Sequence, residues 1–204
     1  MDIERLNAEQ LDALREISNI GMGHAATALS QLVGKTVHLN VPNVNVLPIS
    51  QVPEVLGGPQ QLVVGIYMQI LGDARGNILL IFPLDSAMEL VENLLLKRPA
   101  NYTALNELEV STLKEVGNIL SSAFLNALGM LLKLTLIPSV PILSCDMAGA
   151  VVDYVLIELG KTGDISLMVE TEFRSEEDRI KGHFYMIPGV DSLEIILSSL
   201  GIAI

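Results

Sequence analysis

The sequence predicts an α/β (α+β) fold: a unit duplicated about a pseudo-twofold, with an antiparallel-rich sheet layered with long helices. Three observations carry this. One segment recurs at a constant spacing along the chain. Each copy opens with a long amphipathic run behind an asparagine cap. Each then continues as short β-branched and aliphatic segments separated by Gly, Pro and Asp.

The repeat is gapless over its first part. Asn7–Val44 superposes on Asn106–Leu143 with an offset of 99 residues, matching Asn7 to Asn106, Leu14 to Leu113, Glu16 to Glu115, Asn19 to Asn118, Leu29 to Leu128 and Pro42 to Pro141. A looser match links Arg75-Gly76 and Asp85-Ser86 to Lys181-Gly182 and Asp191-Ser192. The halves are therefore about 1–100 and 101–204, read as one domain of two repeats sharing a core.

Each half opens on a helix. Asn7 with Gln10, and Asn106 with Glu109, have the spacing of a capping box. Leu11, Leu14, Ile17 and Ile20, and Leu108, Val110, Leu113, Val116 and Ile119 in the second copy, keep helical spacing. Gly21 and Gly23 predict a kink or break in the first helix, which resumes through Ala25–Val33 and stops at Gly34. Strands follow at Thr36–Val46 and Thr135–Leu143, and a proline inside each predicts a sheet-edge position or a strand end. Leu62–Ile70 and Gly76–Phe82 form a hairpin across Gly72-Asp73; Val151–Leu159, Ile165–Phe173 and Gly182–Ile187 are read as the strands of the second half. Gly163-Asp164 reads as a turn, and the acidic run Ser175–Arg179 as a hairpin tip. A helix closes each half: Ser86–Leu96, capped by Asp85 or Ser86, and Ser192–Leu200.

Composition excludes whole classes of function. The 204 residues carry 12 Lys and Arg against 24 Asp and Glu, a net charge of −12 that repels nucleic acid and anionic membrane surfaces. Cys145 is the lone cysteine, so no intrachain disulfide forms. The first residues lack a basic flank followed by an apolar run, and the expected location is the cytoplasm. The mean hydropathy of +0.48 is high, and Ile119–Ile137 has Lys133 as its one charge. Ser121, Ser122, Asn126 and Gly129 interrupt that run and Pro138 ends it, so it reads as a buried helix leading into a strand. The apolar surroundings of Cys145 place it in the core, and His24, His38 and His183 lack the spacing of metal ligands. Gly57-Gly58-Pro59 is a loop with no phosphate-binding pattern after it.

The chemistry-bearing pattern lies on the two opening helices. Asp12, Glu16 and Asn19 stand at i, i+4 and i+7 and share one face, away from Leu14 and Ile17. Ser111, Glu115 and Asn118 occupy the same positions in the second copy. One such stripe is the ordinary solvated side of a helix. Its retention in both copies, while Gly21 and Gly34 are replaced by Leu120 and Lys133, points to function.

These two signatures, each with its downstream Pro42 or Pro141, resemble those of the CheC family, which is related to CheX and FliY. The resemblance covers essentially the whole chain, and two intact signatures favour CheC over CheX, which carries one. It implies a phosphatase that hydrolyses the aspartyl phosphate of the chemotaxis response regulator CheY. Asn19 and Asn118 would position the attacking water, and Glu16 and Glu115 would pair with the active-site lysine of CheY. Asp12 and Ser111 would orient the stripe or touch the partner. The resemblance implies no cofactor of its own, the Mg²⁺ belonging to CheY. It also implies CheD as a second partner, with Asp146 on the docking surface. The alternative from the same resemblance is a non-catalytic adaptor that binds CheY or CheD.

Overall fold

In the computed structural model, which describes residues 6–34, 36–97, 105–158, 165–175 and 180–202, the repeat holds at the helix ends. Helix α1 (Ala8–Val33) and helix α4 (Glu107–Leu132) both have 26 residues and keep the sequence offset at each end. Both capping boxes form. The Asn7 side chain accepts from the Gln10 N–H at 2.9 Å and Gln10 Oε1 accepts from the Asn7 N–H at 3.0 Å. Asn106 accepts from the Glu109 N–H at 3.1 Å, and Glu109 Oε2 from the Asn106 N–H at 2.8 Å. Such a cap satisfies otherwise orphaned helix donors and contributes about 1 kcal/mol.

The remaining elements are β1 (Val37–Pro48), α2 (Val52–Val55), β2 (Leu62–Gly72), β3 (Gly76–Pro83), α3 (Leu84–Leu95), β4 (Leu136–Pro138), β5 (Ile142–Met147), α5 (Ala148–Glu158), β6 (Ile165–Ser175), β7 (Lys181–Pro188) and α6 (Val190–Ser199). The strands form one sheet in the order β1-β6-β7-β3-β2-β4, with β5 also paired to β2. All the pairings are antiparallel. The halves exchange their first strands: β1 pairs with β6 of the second half, and β4 and β5 pair with β2 of the first. At the centre, Leu79 of β3 faces Tyr185 of β7, its own counterpart in the looser match, which marks the pseudo-twofold.

Helices cover both faces. On one, Val64, Ile66, Met68, Ile78, Leu80, Phe82, Phe184 and Met186 pack with the buried residues of α1, α3, α4 and α6. On the other, Val63, Tyr67, Leu79, Ile81, Tyr185 and Ile187 pack with Val52 of α2 and Val151, Val152 and Val155 of α5. Central strands buried on both sides read as unbroken apolar runs. Helix α4 is long and apolar enough to cross a membrane by length and composition, and half of its most apolar stretch is buried inside the protein.

Several expectations are corrected. Helix α1 runs through Gly21 and Gly23 without a break. A Cβ on Gly21 would lie 2.5 Å from Leu128 Cδ1 and 2.6 Å from Phe124 Cδ2, so this glycine serves close helix approach. Val151–Leu159 is not a strand: its described part belongs to α5, because a short valine-rich run is compatible with either state and packing on the sheet decides. The closing helices start earlier than expected, and neither Asp85 nor Ser86 caps α3, whose N-cap is Pro83 without a side-chain bond. The strand predicted over Thr135–Leu143 is split into β4 and β5 on either side of Pro141. Cys145 is exposed, because β5 is an edge strand whose apolar neighbours Ile142 and Met147 are themselves 47% and 49% exposed. The edge positions of β1 and of β4 with β5 match the proline argument, and β1 shifts register between Asn40 and Asn43, around Pro42. The Gly163-Asp164 turn and the acidic tip at 176–179 lie outside the described residues.

Candidate functional site

The two stripes occupy equivalent places on the paired helices. Every third or fourth residue of α1, including Leu14, Ile17, Gly21, Ala25 and Leu29, is buried, which leaves Asp12, Glu16 and Asn19 exposed on the outer side. On α4 the buried set includes Leu113, Val116, Gly117, Leu120 and Phe124; Ser111 and Glu115 are exposed and Asn118 is half-buried. In each stripe the carboxylate precedes the amide by three residues, so the two groups are neighbours on the helix surface.

The copies are not identical in their surroundings. Where α1 has buried Ser18, whose hydroxyl donates to the Leu14 carbonyl at 2.6 Å, α4 has Gly117. A Cβ there would come within 2.8 Å of Ile66 Cγ2, so α4 lies tight against the sheet beside Asn118. The helices run antiparallel: Gly21 lies against Phe124 and Leu128, whereas Leu32 lines a groove with Ser111, Thr112 and Glu115. The stripes thus stand toward opposite ends of the helix pair. The groove, about 340 Å³, is completed by Leu94 and Leu95 at the end of α3. No sequence signal marks it, since it arises where the end of one helix meets the start of another.

Asp146 is exposed at the end of β5, and its Oδ1 accepts from the Met147 N–H at 2.7 Å. It precedes α5, which packs on the opposite face of the sheet from α1 and α4. The structure therefore does not bring Asp146 together with either stripe. The thiol of neighbouring Cys145 is pushed up from its ordinary pKa by desolvation and, secondarily, by the Asp146 carboxylate.

What the arrangement offers chemically is a pair of neutral amides, each beside a solvent-facing carboxylate, on a rigid helix. An amide can both donate to and accept from a water next to an anion without adding charge repulsion. A carboxylate beside it can hold a cation of a docked partner.

Comparison with known proteins converges on these helices. A family model described as the CheC-like family matches residues 9–46 and 108–144, the two copies of helix plus following strand. The chain is 36% identical over 200 residues to the "CheY-P phosphatase CheC" of Bacillus subtilis (strain 168), covering 96% of each. Among solved structures, FliY of Thermotoga maritima superposes with a TM-score of 0.75 at 22% identity, covering 97% of this chain and 98% of that one. The CheX of the CheX-CheY-BeF3-Mg+2 complex from Borrelia burgdorferi shares the fold more distantly, with a TM-score of 0.57, 12% identity and coverage of 83% and 96%. With a full-length relative at this identity and both signature helices matched, the chain belongs to the CheC-like family.

Proposed function

We propose that this protein is a CheY-P phosphatase: it hydrolyses the aspartyl phosphate of the response regulator CheY at two sites, one on α1 and one on α4. The observation that carries the reading is the display of a Glu/Asn pair at the same place on both helices, Glu16 with Asn19 and Glu115 with Asn118, reaching solvent in each case. The curated relative bears the name of that activity, and the CheX neighbour was solved bound to CheY.

In this reading the chain supplies positioning. Glu16 or Glu115 pairs with the lysine beside the phosphorylated aspartate and sets the register of the two proteins. The carboxamide of Asn19 or Asn118 then holds a water in line with the bond between phosphorus and the aspartate oxygen. Water adds to phosphorus, the aspartate carboxylate leaves, and inorganic phosphate is released. The Mg²⁺ is part of the substrate, bound by CheY, and this chain contributes no cofactor. Asp12 and Ser111, exposed one turn before each Glu, flank the contact. Orientation of one water contributes about 10²-fold, or roughly 2.7 kcal/mol.

Asp146, exposed beside the free edge of β5, is assigned to a second docking surface, for CheD. The lone Cys145 supports the cytoplasm as the place of action, and the net charge of −12 argues against nucleic-acid and anionic-membrane partners.

The test is the decay of ³²P-labelled CheY with the parent protein and with Asn19→Ala, Asn118→Ala and the double variant. Partial losses in the single variants and complete loss in the double are expected, with unchanged thermal melts. Parental rates in the double variant would overturn the assignment of Asn19 and Asn118, and a parent protein that leaves the decay of CheY-P unaccelerated would leave only the adaptor reading.

A further inference from the structure

Beside the α4 site the surface is not flat. The groove between α1, α3 and α4 has Leu32, Leu94 and Leu95 as its apolar wall and Ser111, Thr112 and Glu115 as its polar rim. Leu32, Leu94 and Leu95 are half-buried, packed on the core from one side and open to the groove on the other. Leu96 follows directly and is 91% exposed, held at φ +51° in the left-handed region that a leucine avoids. An exposed leucine in an unfavourable conformation, one residue beyond the groove's Leu95 at the C-terminal cap of α3, is costly in the isolated protein, both in solvation and in backbone energy.

We infer that this groove, together with Leu96, seats an apolar side chain of phosphorylated CheY that neighbours the lysine bound by Glu115, and that it sets the affinity of the α4 site. The inference rests on the reading that Glu115 and Asn118 face the phosphorylated partner. Continuity supplies the occupant: Glu115 is at once the cation-binding carboxylate of that site and the rim of the groove, so a partner engaging one covers the other. At about 340 Å³ the groove is large enough for a leucine or phenylalanine side chain. An apolar anchor ringed by polar contacts is the usual form of a binding hot spot.

The duplication supplies an internal control. In the looser match the counterparts of Leu94, Leu95 and Leu96 are Leu200, Gly201 and Ile202, so the apolar corner loses its middle leucine beside the α1 site. Ile202 is only half-buried where Leu96 is almost fully exposed.

The test uses the full chain with one site silenced at a time. In an Asn19→Ala background, where α4 does the work, Leu96→Asn and separately Leu32→Gln are expected to raise KM for phosphorylated CheY about tenfold with kcat within twofold. In an Asn118→Ala background the same changes are expected to leave KM unaltered. Asparagine tolerates the left-handed backbone, so Leu96→Asn keeps the melting temperature at or above that of the parent. Fluorescence titration with beryllofluoride-loaded CheY reads affinity without turnover. Weaker binding in the Leu96→Asn protein supports the groove even if the parent proves catalytically inert. An unchanged KM in the Asn19→Ala background, or equal changes in both backgrounds, overturns it while leaving the phosphatase reading intact. A Leu32→Gln protein that melts earlier yet binds normally also overturns it, since the groove would then be covered by this chain itself.

Discussion

The backbone N–H of Arg75 donates to the Ser192 hydroxyl at 2.7 Å, joining the β2–β3 turn of one half to the closing helix of the other. Its repeat counterpart is present too: the Lys181 N–H donates to Ser86 Oγ at 3.0 Å. Both serines are 5% exposed, while Arg75 is exposed and Lys181 half-buried, so each bond sits at the margin of the core. Ser192→Ala is expected to lower stability by about 0.5–1.5 kcal/mol in urea unfolding, the net worth of a part-buried hydrogen bond. A change below about 0.3 kcal/mol would show that solvent replaces the hydroxyl.

The exchanged first strands give a second expectation. A fragment of residues 1–100 would keep β1 without β6, β2 without β4 and β5, and β3 without β7, leaving β1 without its partner strand, both outer edges of the β2–β3 hairpin open and half a core. It is expected to show no cooperative thermal transition by circular dichroism, whereas the whole chain unfolds as one unit.

The two glycines of α1 should respond in opposite directions. Gly23→Ala meets nothing within 4 Å and should stabilise by about 0.5–1 kcal/mol, the helix-propensity difference. Gly21→Ala gains the same propensity but drives a methyl into Leu128 and into Phe124, whose ring is itself packed 4.7 Å from that of Phe184. The net expectation is a loss of about 1–2 kcal/mol. Paired melting curves of the two variants decide it.

Of the two amides, Asn118 should matter more. It is half-buried on a helix drawn against Ile66 through Gly117, whereas Asn19 is exposed. A side chain with fewer free rotamers loses less entropy when it orients a water. Asn118→Ala is therefore expected to lower kcat/KM several-fold more than Asn19→Ala, read from CheY-P decay rates.

Although Cys145 is exposed, its thiol is held protonated to higher pH by desolvation and then by Asp146. Raising a thiol pKa lowers the thiolate fraction at a given pH, so iodoacetamide labelling at pH 8 should be slower than that of a free cysteine peptide. Asp146→Asn should speed labelling modestly, without reaching the peptide rate, because burial is the larger cause.

Much of this protein was readable without coordinates of any kind. Glu16, Asn19, Glu115 and Asn118 announce themselves because helical spacing and duplication are both properties of linear order. The capping boxes at Asn7 and Asn106 are equally local, since the bonds close within three residues. The failures share one cause. Whether Gly21 bends a helix or admits a neighbouring one depends on Phe124, more than a hundred residues away. Whether Val151–Glu158 is helix or strand depends on the sheet face that it covers. Cys145 looked buried because its neighbours are apolar, yet an edge strand leaves them exposed.

Linear order thus determined the duplication, the cap chemistry, the two polar signatures and the strands that could tolerate proline. Tertiary structure alone decided that the halves trade their first strands, that α1 stays straight, and that an apolar groove opens beside one signature. The reason is physical: periodicity and capping are set by interactions among residues a few positions apart, whereas close approach, exposure and grooves depend on which distant surfaces meet.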